Sequence, residues 1–309
     1  MKKQITSTAL LFLTAIIWGF AFVAQVDGAE YLSPFTFNGI RFSLGALALI
    51  PVILILERGK SSLQERKRTV LASVLGGTAL FIASTLQQYG VQVTQSAGIS
   101  GFITGLYTVV VPLACFLLFR QKTGVQVWLG AILAVAGLFL VCYKPGEGLS
   151  FGLGEGLLLL GVLFWAAHVI VIDRLGKGVR SLRFACGQAA VCGAWSMLGM
   201  LLFEQPRIDA IWNAKFSLLF CGLFSVGIAY TLQVIAQKNA DPTFASIVLS
   251  TESVFGAIGG VLFGTDRILW LGYVGFVMIF GGIVLSQIPI SSKTSAKRSS
   301  KREKKRNDG

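Results

Sequence analysis

Charge is scarce in this chain. Asp, Glu, Lys and Arg make up 13% of the 309 residues, against roughly 25% in soluble globular domains. The few charges gather between long apolar stretches, which excludes a soluble core with a solvated surface. Histidine is scarcer still, with His168 alone, and the five cysteines (Cys115, Cys142, Cys186, Cys192, Cys221) form no CxxC pair. Zinc sites and dithiol redox motifs therefore drop out, and the cysteines read as small apolar packing residues. There is no Walker A sequence, HExxH, nucleophile elbow or acidic metal cluster. ATP-driven pumping by this chain falls away, and no catalytic residue, metal ligand or cofactor is expected.

What is present is hydrophobic. Apolar residues reach 54% and glycine numbers 36. Ten apolar runs stand out, at 8–26, 35–56, 70–90, 98–119, 125–143, 153–172, 182–203, 214–235, 243–263 and 268–288. About 20 such residues cross a hydrocarbon core about 30 Å thick. Barrel strands are about ten residues long and alternate in polarity; these runs do neither. The expected fold is an all-α integral membrane protein of ten transmembrane helices with little mass outside the bilayer.

The cations orient it. Of the 27 Lys and Arg residues, 22 fall at the N-terminus, in the loops after the second, fourth, sixth and eighth runs, and in the tail. Only Lys144, Arg207, Lys215 and Arg267 fall on the opposite side, and Arg41 lies within a run. The positive-inside rule puts both termini in the cytoplasm of a cell whose cytoplasmic membrane the chain spans many times. The net charge of +13 is on this account a topology signal and no nucleic-acid footprint. The tail, 291–309, has no apolar period and is expected to be disordered. Attraction to anionic lipids is a further role for it, worth about 1 kcal/mol per basic residue near the surface.

The chain also repeats itself. WGFAFVAQVD from Trp18 aligns with WAAHVIVIDR from Trp165 at a spacing of 147. Later pairs fall at 145: Gln88 with Gln233, Gln92 with Gln237, Gly130 with Gly275, Gly137 with Gly282. Two repeats are expected, at 5–145 and 150–290. Each holds five spans, an odd number, so the second enters the membrane upside down, and a binding site belongs near the midplane between them. Lys2-Lys3 and the first run read as a signal peptide in isolation, but that run has its partner in the sixth and belongs to the fold.

These residues resemble the EamA-domain transporters of the drug/metabolite transporter superfamily. The resemblance covers about 5–290. It is carried by Trp18-Gly19, by Arg41, by SAGISGFITGLYTVVVP from Ser96, by ADPTFASIVLSTESVFGAIGG from Ala240, and by Gly281-Gly282. It implies ten helices around a central cavity lined mainly by spans 1, 3, 4, 6, 8 and 9, and the movement of small metabolites, amino acids among them, with export favoured. One departure is Thr251-Glu252-Ser253-Val254 where many members have Leu-Glu-Pro-Val. The missing proline puts a helix kink there in doubt, while Glu252 itself is kept.

Several polar residues stand within the spans. Glu252 lies near the middle of span 9, where a carboxylate costs roughly 3 kcal/mol. It is either a tie between helices or a substrate or proton site. Arg41, early in span 2, is open to the same two readings, as structural partner or as contact for an anionic substrate. His168 is packing or a proton relay. Trp18 and Trp165 are expected as flat cavity walls. Gln88, Tyr89, Thr104, Tyr107, Tyr230 and Gln233 are expected to add hydrogen-bonding groups. The glycine stripes Gly256, Gly260, Gly264 and Gly101, Gly105 suit close helix approach.

The function expected is a secondary transporter of a small metabolite, acting by alternating access. Multidrug efflux of organic cations is the alternative, with a membrane-embedded enzyme or structural subunit as the rival class. A monomer suffices for two fused halves, and a homodimer is open. A transporter should show one central, aromatic-walled chamber; a structural subunit should be packed solid.

Overall fold

The structure, a computed structural model, describes residues 2–59, 61–120, 124–144, 148–149, 151–240, 242–266 and 269–287. The basic tail from Ser291 lies outside them, as do Lys60, Lys122 and Arg267.

The described residues are helical almost throughout. In chain order the helices are α1 (Lys2–Tyr31), α2 (Pro34–Leu56), α3 (Leu63–Thr94), α4 (Ala97–Gly105), α5 (Tyr107–Phe119) and α6 (Val125–Cys142). Then come α7 (Leu153–Leu175), α8 (Ser181–Phe203), α9 (Ile208–Asn213) and α10 (Lys215–Leu219), followed by a π-helix (Phe220–Ala229). The chain continues as α11 (Tyr230–Gln237), α12 (Pro242–Ser250), α13 (Glu252–Leu262) and α14 (Trp270–Gln287). A short antiparallel pair, β1 (Tyr143–Lys144) with β2 (Gly148–Leu149), lies between α6 and α7.

Among the described residues eight helical stretches are long and apolar enough to cross a bilayer: Ile5–Tyr31, Pro34–Leu56, Leu63–Thr94, Ala97–Phe119, Leu153–Leu175, Ser181–Phe203, Lys215–Gln237 and Pro242–Leu262. The other two expected spans are helices as well, α6 and α14, each 18 residues, or about 27 Å. Their apolar stretches, Trp128–Leu140 and Trp270–Gly282, are shorter. The exterior carries side chains that water would not tolerate in such number: Leu117, Leu201 and Phe203 are each 74% exposed. Large exposed apolar surface of this kind marks a hydrocarbon environment. The protein is a multi-pass membrane protein.

Turn chemistry sets the first boundaries. Ser33 precedes Pro34, and its extended backbone (ψ 155°) ends one helix and starts the next, as residues before proline do. Ser62 caps α3 by accepting the Glu65 N–H at 3.1 Å, and Gln95 closes α3 in the left-handed region at φ 49°. None of Cys115, Cys186, Cys192 and Cys221 is in a disulfide.

Two spans are interrupted, at positions 145 residues apart. Between α4 and α5 stands Leu106 (φ −62°, ψ −15°), and between α12 and α13 stands Thr251 (φ −62°, ψ −13°). The two share the register that pairs Gln88 with Gln233. Leu106 N–H bonds Ile103 O at 3.1 Å and Val109 N–H bonds Leu106 O at 3.0 Å; Thr251 N–H bonds Val248 O at 3.3 Å and Val254 N–H bonds Thr251 O at 3.0 Å. The α-helical ladder tightens to three-residue steps at both. The local causes differ. In the first span Gly105 precedes the break and Pro112 removes a donor beyond it. In the second, the Ser250 and Thr251 hydroxyls donate back to Ile247 O and Val248 O, a competition that bends helices. The helix near Glu252 is interrupted although it lacks the proline.

Helices α2 and α8 run antiparallel, and each ends in a carboxylate that caps the other. Glu57, just past α2, accepts the N–H groups of Leu182 (2.9 Å) and Arg183 (3.2 Å). Glu204, just past α8, accepts those of Phe35 (2.9 Å) and Thr36 (2.7 Å), and the Thr36 hydroxyl. Both carboxylates satisfy orphan donors and meet the positive end of a helix dipole. Glu57 and Glu204 are counterparts in the register that pairs Trp18 with Trp165, and so are Phe35 and Leu182.

Helices α6 and α14 are also antiparallel, and glycine permits their approach. A Cβ on Gly137 would stand 2.6 Å from Gly275 O, and one on Gly282 would stand against Gly130 O. Contact is likewise exchanged between Gly137 and Ile279 and between Gly282 and Ala134.

Candidate functional site

Where α1, α7, α11 and the two interrupted spans converge, they leave a central cavity. Its α1 wall is Trp18, Ala21, Phe22 and Gln25, and its α7 wall is Trp165, His168 and Val169. Arg41 comes from α2, Gln87 from α3, Thr104 and Tyr107 from the first interrupted span. Ser225, Tyr230 and Gln233 come from the π-helix and α11, and Glu252 from the second interrupted span. The space is narrow. A water molecule's centre has about 30 Å³ in which to sit, room for a few waters at most.

The aromatic walls are mutually braced. Trp18 and Tyr230 rings lie 4.7 Å apart, and the Trp18 Nε1–H donates to Ser225 O at 3.3 Å. The π-helix makes that carbonyl a shared acceptor, since the Tyr230 N–H also bonds it. Wide π-turns of this sort recur at functional sites. His168 meets the edges of both Trp165 (6.1 Å) and Tyr230 (5.8 Å), and its Nε2 is 3.0 Å from Gln188 Oε1.

Glu252 is 4% exposed and is the first residue of α13. Gly19 of α1 lets it in: a Cβ there would stand 2.8 Å from the Glu252 carbonyl oxygen. The Tyr107 hydroxyl faces the Glu252 carboxylate, yet it falls short of hydrogen-bond geometry. Tyr107 Oη, Trp165 Nε1, His168 Nδ1, Gln25 Oε1 and Gln233 Oε1 are all buried without a hydrogen-bond partner among the described residues. Buried polar atoms are nearly always satisfied, and these five gather around one cavity.

Trp18, Thr104, Tyr107, Trp165, His168, Tyr230, Gln233, Glu252 and Arg41, all singled out from the sequence, meet at this cavity. Gln88 and Tyr89 do not. Gln88 is fully buried behind α1, its Nε2–H donating to Gln25 O at 3.1 Å. Tyr89 points to the opposite side of α3, edge-on to Phe35 at 5.9 Å and near Glu204. Gln87, one residue earlier, is the side chain that reaches in, donating to Thr104 Oγ1 at 3.1 Å. Gln25 and Ser225 also line the cavity, beyond the residues the sequence singles out. Gln25 had a visible signal as a lone amide in an apolar span; a serine among small residues gave none.

Beside the cavity, α4 is bound to α13. Ser253 Oγ–H donates to Gly101 O at 2.8 Å, and Asp266, just past α13, accepts the Gly98 N–H at 2.7 Å. Burial pushes the Asp266 carboxyl above the usual range, against the pull of the Ser96 hydroxyl and the Gly98 and Ala97 N–H groups. The glycine stripes serve this contact, with Gly256 against Ala97 O and Gly101 against Ser253.

Comparison with known proteins places this geometry. The model of the EamA-like transporter family matches residues 6–143 and again 152–287. An uncharacterized transporter of Archaeoglobus fulgidus is 24% identical over 93% of this chain and 88% of its own length. The uncharacterized transporter YoaV of Bacillus subtilis is 24% identical over 90% of this chain and 95% of its own. WAT1-related protein At1g43650 of Arabidopsis thaliana is 22% identical over 92% and 91%. A solved crystal structure shares the fold, with a TM-score of 0.70 at 18% identity over 92% of this chain and 96% of that one.

Proposed function

The chain belongs to the EamA-like transporter family, and we propose that it is a secondary transporter moving a small metabolite, an amino acid or related compound, by alternating access. Its ten helices form two five-helix halves of opposite orientation, and the substrate passes through the central cavity. Export across the cytoplasmic membrane, with both termini in the cytoplasm, is the direction we propose. One chain carries both halves, so a monomer suffices, and the basic tail rests on anionic lipid.

The observation that carries this reading is the composition of the cavity. Trp18 with Trp165, Ala21 with His168, and Phe22 with Val169 are counterparts in the first register of the repeat, and Tyr107 with Glu252 in the second; all eight line it. A cavity walled by counterpart residues lies on the axis relating two halves, where transporters of this kind bind their cargo. The antiparallel pairs α2/α8 and α6/α14, with their exchanged contacts, favour an inverted relation. The cavity's small volume fits a contracted conformation, with the α4–α13 contact as its closed side.

The test is flux. Proteoliposomes carrying the purified chain are loaded with labelled amino acids or with a lipophilic cation, and a pH gradient is imposed. We expect amino-acid efflux driven by the gradient, reduced and no longer pH-dependent in Glu252→Gln. Transport of the cation alone would favour multidrug efflux. No flux of any compound by folded protein would return the chain to an enzymatic or structural role.

A further inference from the structure

We infer that the transported compound bears a carboxylate or a similarly shaped oxyanion, and that Arg41 is the residue that selects it. This rests on the transporter reading and narrows it. Arg41 is 3% exposed and reaches the cavity from α2. Its Nε–H donates to Asn38 Oδ1 at 2.9 Å, and the Asn38 Nδ2–H is anchored on Ser84 O at 3.1 Å. The guanidinium carbon lies 5.4 Å from the Phe37 ring centre and 4.8 Å from that of Phe42. These contacts fix the plane of the group and occupy Nε; the Cys221 thiol lies within hydrogen-bonding reach of the guanidinium, with the Cys192 thiol nearby.

What Arg41 lacks is a direct ion pair, although the Asp27 and Glu252 carboxylates stand in its neighbourhood. No carboxylate forms an ion pair with it among the described residues. Aromatic faces stabilise a cation in part, but a buried guanidinium without a directly paired anion is costly. In this cavity the anion comes with the ligand. Arginine matches a carboxylate through two parallel N–H bonds, and the Nη pair is the part suited to it.

The second half of the chain does not repeat this charge. The counterpart of Arg41 is Gln188, neutral and engaged with His168. The cavity is thus cationic on its α2 side only. Elsewhere it offers acceptors, with the Glu252 carboxylate and the open Oε1 atoms of Gln25 and Gln233. An anion at Arg41 with N–H donors toward Glu252 suits a zwitterion. A lipophilic cation would leave Arg41 unpaired and face it with like charge.

The test uses the intact chain in proteoliposomes. Labelled amino acids with small, branched, aromatic and polar side chains are compared with their amides and their decarboxylated amines, with tetraphenylphosphonium as the cation. We expect the acids to move, and each amide and amine to move about tenfold to a hundredfold more slowly, the worth of a charge-assisted hydrogen bond. Arg41→Gln should erase that preference and Arg41→Lys should keep part of it. The wild-type comparison decides alone if a variant does not fold. Amides, amines or tetraphenylphosphonium moving as fast as the acids would overturn the inference and leave the transporter reading standing. No movement of any probe by folded protein would overturn both.

Discussion

Tyr107 and Glu252 face one another across the cavity, and each is the first residue after an interrupted helix, at the same place in its own half of the chain. One half places a phenol where the other places a carboxylate. The backbone breaks are alike, down to the three-residue hydrogen bonds on either side of Leu106 and Thr251. Symmetry thus builds the frame, and a single substitution within it makes the site acidic on one side.

That pairing predicts coupling. Tyr107→Phe and Glu252→Gln should each slow transport, and the double variant should lose less than the two losses combined. Residues in contact typically show interaction energies of about 0.5–3 kcal/mol. A double-mutant cycle on initial flux in proteoliposomes measures it; strictly multiplicative losses would mean the two side chains act apart.

The reciprocal caps predict additive stability losses. Glu57→Ala and Glu204→Ala each remove a carboxylate from two backbone N–H groups, a loss of about 0.5–2 kcal/mol each. The caps sit at opposite ends of a 23-residue helix, about 35 Å apart. At that distance the double variant should lose the sum within about 0.5 kcal/mol. Thermal unfolding in detergent, followed by tryptophan fluorescence, checks both the single values and the sum.

Close packing of α6 on α14 predicts that both glycines are needed. The Gly137→Ala methyl would stand 2.6 Å from the Gly275 oxygen, inside any normal contact, and Gly282→Ala meets the equivalent obstacle. Overpacking of this kind costs about 1–3 kcal/mol. Each variant should show a lower Tm by circular dichroism, whereas Gly281→Ala, whose new methyl would stand 3.8 Å from Leu133, should not.

Asp266 predicts a pH dependence. Its carboxyl titrates higher in the folded protein than in the unfolded chain, because burial disfavours the charged form. The folded state therefore holds more protons between the two pKa values, and wild-type stability falls as pH rises through that window, above about 4. Asp266→Asn keeps an oxygen for the Gly98 N–H and loses the titration. The Tm of the variant minus that of wild type should grow from pH 4 to pH 7; a difference that stays flat would mean the carboxyl is not perturbed in solution.

Much of this is legible along the chain, for physical reasons. Long apolar runs have one solvent that accepts them, and their backbone must then be helical because lipid offers it no hydrogen bonds. The duplication is written in Trp18 and Trp165 and in the paired glycines. Glu252 and Arg41 stand out by charge. What the residues withhold is direction. In water an amphipathic stripe marks the buried face of a helix, but here lipid and interior are equally apolar and the stripe vanishes. Gln87, Gln88 and Tyr89 are successive polar residues on one helix, each turned about 100° from the last, and nothing local tells which faces inward. Tertiary packing sends Gln87 to the cavity, Gln88 to α1 and Tyr89 toward Glu204. The interruption at Thr251 is hidden for a similar reason: hydroxyls that bend a helix in one packing are silent in another. Solvent, helices and repeat are thus settled by the order of residues, because each follows from composition or spacing. Which side chains share the central space is settled only by folding, because it depends on how the apolar helices are turned about their own axes.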